Sequence, residues 1–324
     1  MWMMRQAGRY LPEYRSVRER ADFLTLVSTP ELAAMLTLQP VELLSVDAAI
    51  VFSDILVIPQ AMGMALSIHE TTGPRFHQPL RSAADFEGLR EIDIAADLEH
   101  VLQAIRISHR ELAGRVPLIG FAGGPWTLMS YMVEGAGSRS FTWAKRLLVE
   151  SPAQAHALLG RLAHAVGNFL VSQVEAGAQA VQIFDSWASA LGPRDFRDFV
   201  LPYLAEAVRI ARAADVPVIV FAPGAGWALE EIAASVAPEV IGVDWQTDAA
   251  DARRRLAGRA VALQGNLDPC WLYAPPSVIR ERTHTMIAAF GRRGYIANLG
   301  HGIPPDVPVA HARAFIHAVK EWRP

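Results

Sequence analysis

Cysteine is almost absent from this chain: Cys270 is the only one in 324 residues. A single thiol excludes an internal disulfide and a multi-thiolate zinc site, and it suits a reducing compartment. Lysine is nearly as scarce, with Lys145 and Lys320 the only two among 30 basic residues. A Schiff-base lyase needs a lysine at a strand end, and both of these fall in stretches of helical pattern. The formal charge is only −3, so no global field recruits nucleic acid or a membrane surface, and any anion must be held by local arginines. No uncharged apolar stretch reaches the roughly 18 residues of a membrane span. Nor do the first residues lead from a basic segment into an apolar run, so no secretory signal is expected and the expected location is cytoplasmic.

What is abundant is apolar residue, 52% against 19% charged. That composition supports a large core and argues against disorder. The length suits one α/β barrel. Eight short apolar runs recur, at residues 2–4, 48–52, 118–121, 180–184, 218–221, 240–243, 260–263 and 295–299. Near-continuous apolar runs of this length suit parallel strands buried on both faces. Helical patterns separate them, clearest over 152–175, where Leu158, Leu159, Leu162, Val166 and Leu170 recur at three- and four-residue spacings. Further helices are expected over 202–214, 227–236 and 308–322. The 60–115 stretch is too long for one crossover, so it should hold an excursion plus a helix over 95–112. Eight alternating units predict a single domain over 1–324, a distorted (β/α)8 barrel with its site at the C-terminal ends of the strands.

Those strand ends are polar or glycine-rich. They read Arg5-Gln6, Ser53-Asp54, Gly123-Gly124-Pro125-Trp126, Asp185-Ser186, Pro223-Gly224, Asp244-Trp245, Gln264-Gly265-Asn266 and Gly300-His301-Gly302. Asp54 is either a helix N-cap or a site residue, and the following Ile-Leu-Val-Ile-Pro is a poor first turn. Either Asp185 or Ser186 can serve as a cap, and Asp244 has the same structural alternative. The glycines around His301 let a loop bend closely about a ligand. Arg5 and Arg9 bracket a small turn, from which a guanidinium can read carboxylates in a two-point fork; the alternative is a basic arm on the surface. Gly123-Gly124-Pro125 lacks the lysine and the glycine spacing of a phosphate cradle and reads as a tight turn leading to Tyr131. The histidines show no paired metal-ligand spacing, so no metal is expected.

Four of these segments resemble a known family. Trp2-Met3-Met4-Arg5-Gln6-Ala7-Gly8-Arg9-Tyr10-Leu11-Pro12-Glu13 is similar to the signature of the uroporphyrinogen decarboxylases. So are Phe52-Ser53-Asp54-Ile55-Leu56, Gly124-Pro125-Trp126-Thr127-Leu128-Met129-Ser130-Tyr131-Met132 and Asn298-Leu299-Gly300-His301-Gly302, all in the family's order. The resemblance implies a distorted barrel acting as a homodimer, without metal or organic cofactor, that converts the four acetates of uroporphyrinogen III to methyls in porphyrin biosynthesis. By motif it implies that Arg5, Gln6, Ala7, Gly8 and Arg9 contact substrate. It implies that Asp54 faces the pyrrole nitrogens, and that Tyr131, Ser186 and His301 contact substrate too. Asp54 and Arg5 stand as the catalytic pair. Family members carry a helix and the start of the first strand ahead of this motif, so the chain is expected to lack that extension. The same superfamily shape hosts zinc methyltransferases, whose thiolate ligands Cys270 alone does not supply. A non-catalytic porphyrinogen-binding protein is the remaining alternative.

Overall fold

The computed structural model describes residues 1–69 and 73–323. Seven of the apolar runs form one parallel sheet. Its strands are β1 (Ala49–Ile50), β4 (Leu118–Gly123), β5 (Ala180–Phe184), β6 (Val218–Phe221), β7 (Val240–Gly242), β8 (Ala262–Leu267) and β9 (Tyr295–Leu299), side by side in that order. The excursion between β1 and β4 is an antiparallel hairpin, β2 (Leu66–His69) and β3 (Gly73–Phe76), followed by short helices. Neighbours in the large sheet are consecutive in the chain, and helical crossovers link them, as parallel pairing requires. The sheet is curled. Ala48, Ile119 and Phe221 share a buried cluster with Trp2 and Met4, against Ile50, Ala180, Phe184 and Ile296. Side chains from both ends of the strand order meet there, which a flat sheet does not allow.

The eighth expected strand, at 2–4, does not form, so the paired sheet stops at seven strands. The segment lies between the two sheet edges with a single backbone-to-backbone bond toward each. The Met1 carbonyl accepts from Asp47 N at 2.9 Å, and Trp2 N donates to Ala297 O at 3.3 Å. Met4 N donates to the side-chain Oδ1 of Asn298 at 3.0 Å rather than to a backbone carbonyl. The chain then turns sharply at Arg5, whose φ is +60°, so the run ends before a ladder can develop.

The expected strand at 260–263 begins and ends later, at Ala262–Leu267. Its polar residues enter the strand because partners await them inside. Gln264 accepts from Trp2 Nε1 at 2.9 Å and donates to Gln182 at 3.1 Å. Asn266 Nδ2 donates to the carbonyls of Asp244 and Thr247 at 2.8 and 2.7 Å. Buried amides of this kind are tolerated only when so paired.

The helix over 152–175 forms as expected, Pro152–Glu175, with all five spacing leucines and valines buried. The expected 95–112 helix is split into Ile94–Asp97 and Glu99–Leu112. Buried Leu98, at φ −114° and ψ 15°, breaks the α geometry between them. Lys145 and Lys320 both lie on helices, Thr142–Glu150 and Val309–Glu321. Among the described residues no helix is long and apolar enough to cross a membrane.

Candidate active site

The turn after Met4 is built around its own backbone. Gln6 is buried, and its side chain is committed to the scaffold. Its Oε1 accepts from Met3 N at 3.1 Å and its Nε2 donates to Ala48 O at 3.0 Å. The Tyr10 hydroxyl closes the turn on Gln6 O at 2.7 Å. A Cβ on Gly8 would stand 2.7 Å from Arg5 O, so glycine is what lets the turn be this tight. The left-handed backbone of Arg5 costs about 1 kcal/mol or more for a residue with a Cβ and redirects its side chain.

That side chain runs over Gly302. A Cβ there would collide with the Cδ of Arg5 and stand 2.7 Å from its Cγ and 2.9 Å from its Nε. Gly302 is therefore the floor on which the Arg5 stem rests. Gly302→Ala should leave the fold intact but push the guanidinium out of register, raising KM for a carboxylate substrate roughly 10-fold. Steady-state kinetics beside a thermal melt would check this; an unchanged KM would mean that Arg5 is not held for binding. More than a third of Arg5 stays open to solvent, yet protein crowds its guanidinium closely enough that burial lowers its pKa; Arg9 adds to that, and Tyr131 and Asp54 oppose it. Arg9 is exposed too, and its carbonyl accepts from Arg15 at 2.8 Å.

Asp54 follows β1 and is not a helix cap. Its Oδ1 accepts from Leu56 N at 2.7 Å in a local turn, while the next helix, Val57–Ala61, starts after Leu56. No hydrogen bond reaches its Oδ2 among the described residues. Some solvent touches this half-buried side chain, yet protein surrounds it closely enough that burial raises its pKa. The Leu56 amide and Arg5 pull it back without cancelling the rise. A carboxylate held with one bare oxygen is set to accept donors from a ligand.

Tyr131 comes from the helix Pro125–Glu134, which starts directly after β4 with Gly124 as cap and Pro125 in the first turn. Burial raises its phenol pKa, Asp54 adds to the rise, and Trp187 and Arg5 oppose it. Its ring leans on Trp187 at 5.8 Å, and Trp187 leans on Phe141 at 5.1 Å. Ser186 precedes Trp187, half-buried, and its hydroxyl has no protein partner among the described residues.

Asp185 is the bolt between these two pieces. It is fully buried, and Thr127 Oγ1 donates to its Oδ1 at 2.5 Å. Thr127 Oγ1 in turn accepts from Trp187 N at 3.1 Å. Gly124 gives the room, since a Cβ there would lie 2.8 Å from the Asp185 Cγ. The other oxygen, Oδ2, is buried without a partner, and burial pushes the pKa up to about 6. A carboxyl raised by folding contributes stability at low pH, which is lost as pH rises through the folded value. Relative to Asp185→Asn, the wild type should therefore lose on the order of 3 kcal/mol between pH 4 and pH 7. Denaturant unfolding of both proteins at the two pH values measures that difference; parallel pH dependences would refute it.

His301 sits after β9 and is half-buried. Burial lowers its pKa, Arg5 adds to that, and Asp244 opposes it. Asp244 is structural, as its alternative reading had it. Its Oδ1 accepts from Gln246 N at 3.0 Å and from Thr247 N and Oγ1 at 3.1 Å.

Arg5 is the hub of the site: its charge is felt by Asp54, Tyr131 and His301 and it feels that of Arg9, while Asp54 also acts on Tyr131, so these five lie near one another beyond the strand ends. Ser186 joins them through Trp187 and Tyr131, and Gln6 faces the scaffold instead. A groove of 470 Å3 lies elsewhere, along the helix Pro152–Glu175. Its Arg161 is engaged through Nη2, which donates to Glu91 and to the carbonyls of Leu89 and Arg90. Residue-by-residue reading of the sequence passed over Trp187, Trp245 and the role of Gly302 beneath Arg5. One signal existed: two of the eight tryptophans follow a strand-end aspartate within two residues. Among the described residues no three His, Cys, Asp or Glu side chains gather as a metal cluster.

Comparison with known proteins adds breadth to this geometry. The structure superimposes on a methyltransferase from Methanosarcina mazei with a TM-score of 0.79 at 22% identity, covering 93% of this chain and 90% of that one. It matches a B12-independent methionine synthase from a Shewanella species with a TM-score of 0.62 at 9% identity, covering 92% and 89%. At such identities the likeness concerns the fold alone. In sequence, the chain is 51% identical to the uroporphyrinogen decarboxylase of Chloroherpeton thalassium, covering 99% of this chain and 92% of that protein. It is 51% identical to that of Salinibacter ruber, covering 99% and 91%. The profile of the family Uroporphyrinogen decarboxylase (URO-D) matches residues 1–322. Half of all positions are identical over almost the whole length, and the family profile spans residues 1–322: the chain belongs to the uroporphyrinogen decarboxylase family.

Proposed function

We propose that this protein removes carbon dioxide from the four acetate side chains of uroporphyrinogen III, giving coproporphyrinogen III, as a homodimer and without a cofactor. The observation that carries this reading is Asp54: a crowded carboxylate with one bare oxygen, beside Arg5 at the mouth of an α/β sheet. In this reading the Trp2–Met4 segment takes the eighth position between the sheet edges and completes a distorted barrel.

The chemistry follows from what decarboxylation needs. Cleaving the bond from methylene to carboxylate leaves an electron pair that must go somewhere. Protonation of the adjacent pyrrole carbon makes the ring a cation, and the ring then takes the pair. Carbon dioxide leaves, a proton adds to the exocyclic carbon to give the methyl, and the ring carbon then loses the proton it had taken up, restoring the neutral pyrrole. Asp54 accepts the pyrrole N–H groups and stabilises the ring cation in a mouth poor in water. Its raised pKa in the free protein is the cost of a carboxylate short of donors, and pyrrole N–H groups relieve it on binding. Arg5 and Arg9 hold carboxylates, and Arg5 sits where the reacting acetate is placed. Its lowered pKa moves it in the direction a proton donor needs. Tyr131, Ser186 and His301 take the other side-chain carboxylates, His301 as a neutral imidazole.

The test is anaerobic incubation with uroporphyrinogen III, then chromatography of the oxidised products. The reading expects porphyrins with seven, six, five and finally four carboxylates. Unchanged eight-carboxylate porphyrin would reject it in favour of binding without turnover.

A further inference from the structure

We propose that Trp245 is a positioning residue of this site: its indole orients the His301 imidazole and offers the apolar wall on which the tetrapyrrole ring docks. The proposal rests on the functional reading above and extends it to a residue outside the four motifs that carried the resemblance.

Three observations support it. The Trp245 and His301 rings meet edge to face, 5.6 Å between centroids at 90°. The imidazole makes no hydrogen bond to protein among the described residues, so packing alone sets its direction. The Trp245 indole is the ring contact available to do so.

The mount is rigid as well. Asp244 ties down Gly224 N, Gln246 N and Thr247 N, and Asn266 holds the carbonyls of Asp244 and Thr247. Trp245 stands between those fixed points. Gly300 brings the His301 loop directly against it: a Cβ on Gly300 would collide with Trp245 N and lie 2.9 Å from its Cα.

Finally, Trp245 is 40% exposed although its neighbours Val243 and Asp244 are buried. Its indole N–H has no protein acceptor among the described residues. A large aromatic on a pinned loop at a ligand mouth, with its donor open, is what recognition surfaces use. A flexible macrocycle with apolar ring faces and carboxylate arms fits this pairing. Guanidinium and imidazole take the arms, the indole takes a ring face, and its N–H is a donor for one further carboxylate.

The experiment compares Trp245→Phe, Trp245→Gln and Trp245→Ala with wild type in steady-state decarboxylation of uroporphyrinogen III across pH. Trp245→Phe keeps an aromatic ring and should hold KM within about 3-fold. Trp245→Gln and Trp245→Ala should raise KM roughly 10-fold while kcat changes less. They should also move the His301 limb of the kcat/KM profile upward toward an ordinary histidine, since the imidazole loses its cover. Trp245→Gln removes less volume than alanine does and keeps the test open if the alanine variant fails to fold. Unchanged KM and pH profile in a folded Gln variant, beside an active wild type, would overturn the role of Trp245. A wild type with no turnover would instead overturn the functional reading and this inference with it.

Discussion

Asp54→Asn should fold like the wild type and lose at least roughly 10²-fold in kcat. The substitution keeps size and shape. It also keeps an oxygen for the Leu56 amide, which meets Oδ1 at 2.7 Å, so the local turn has no reason to open. What disappears is the negative charge facing the bare side of the mouth. In the proposed mechanism that charge does little for the neutral substrate ring and much for the ring cation. The loss should therefore fall on kcat more than on KM. The pH profile gives an independent check. Burial raises the Asp54 pKa, so the acid limb of kcat/KM in the wild type should lie above the usual aspartate range. That limb should vanish in the asparagine variant. Near wild-type turnover would remove Asp54 from the chemistry.

Arg5→Lys should cost roughly 10- to 100-fold in kcat/KM, although the formal charge is unchanged. The left-handed backbone at this position suits lysine no less than arginine, so the turn is not the variable. The variable is the head group. A guanidinium offers a planar fork that grips a carboxylate at two points and stays nearly fixed once laid across Gly302. An ammonium is a point donor on a mobile stem, and its pKa falls further on burial. Steady-state kinetics at two ionic strengths distinguish these effects. Loss of the fork should persist in high salt, whereas a purely electrostatic role would leave the lysine variant close to wild type.

The sequence made the layered architecture legible because parallel strands buried on both faces write themselves as unbroken apolar runs. Seven of eight such runs became strands. The run at 2–4 did not, because Arg5 reverses the chain immediately after it and Asn298 captures Met4 N with a side chain. Periodicity does not encode such a tertiary capture. The strand at Ala262–Leu267 ran past its expected end for a related reason: Gln264 and Asn266 look like loop residues until Trp2, Gln182 and the carbonyl of Asp244 are seen to satisfy them. Arg5, Asp54, Tyr131 and His301 were legible as polar residues at strand ends or in the motifs. The roles of Gly302, Asp185 and Trp245 were not. Each depends on what stands across the mouth from it, and that neighbour lies far away in the chain.

Most direct for the central claim is carbon dioxide release from uroporphyrinogen III by protein dialysed against chelator, under anaerobic conditions and with no cofactor added. The account predicts that the wild type releases all four acetate carboxyls of each macrocycle, and that Asp54→Asn does so at least roughly 10²-fold more slowly. Turnover that appears only when a metal or organic cofactor is restored, or that is equal in the two proteins, would contradict it.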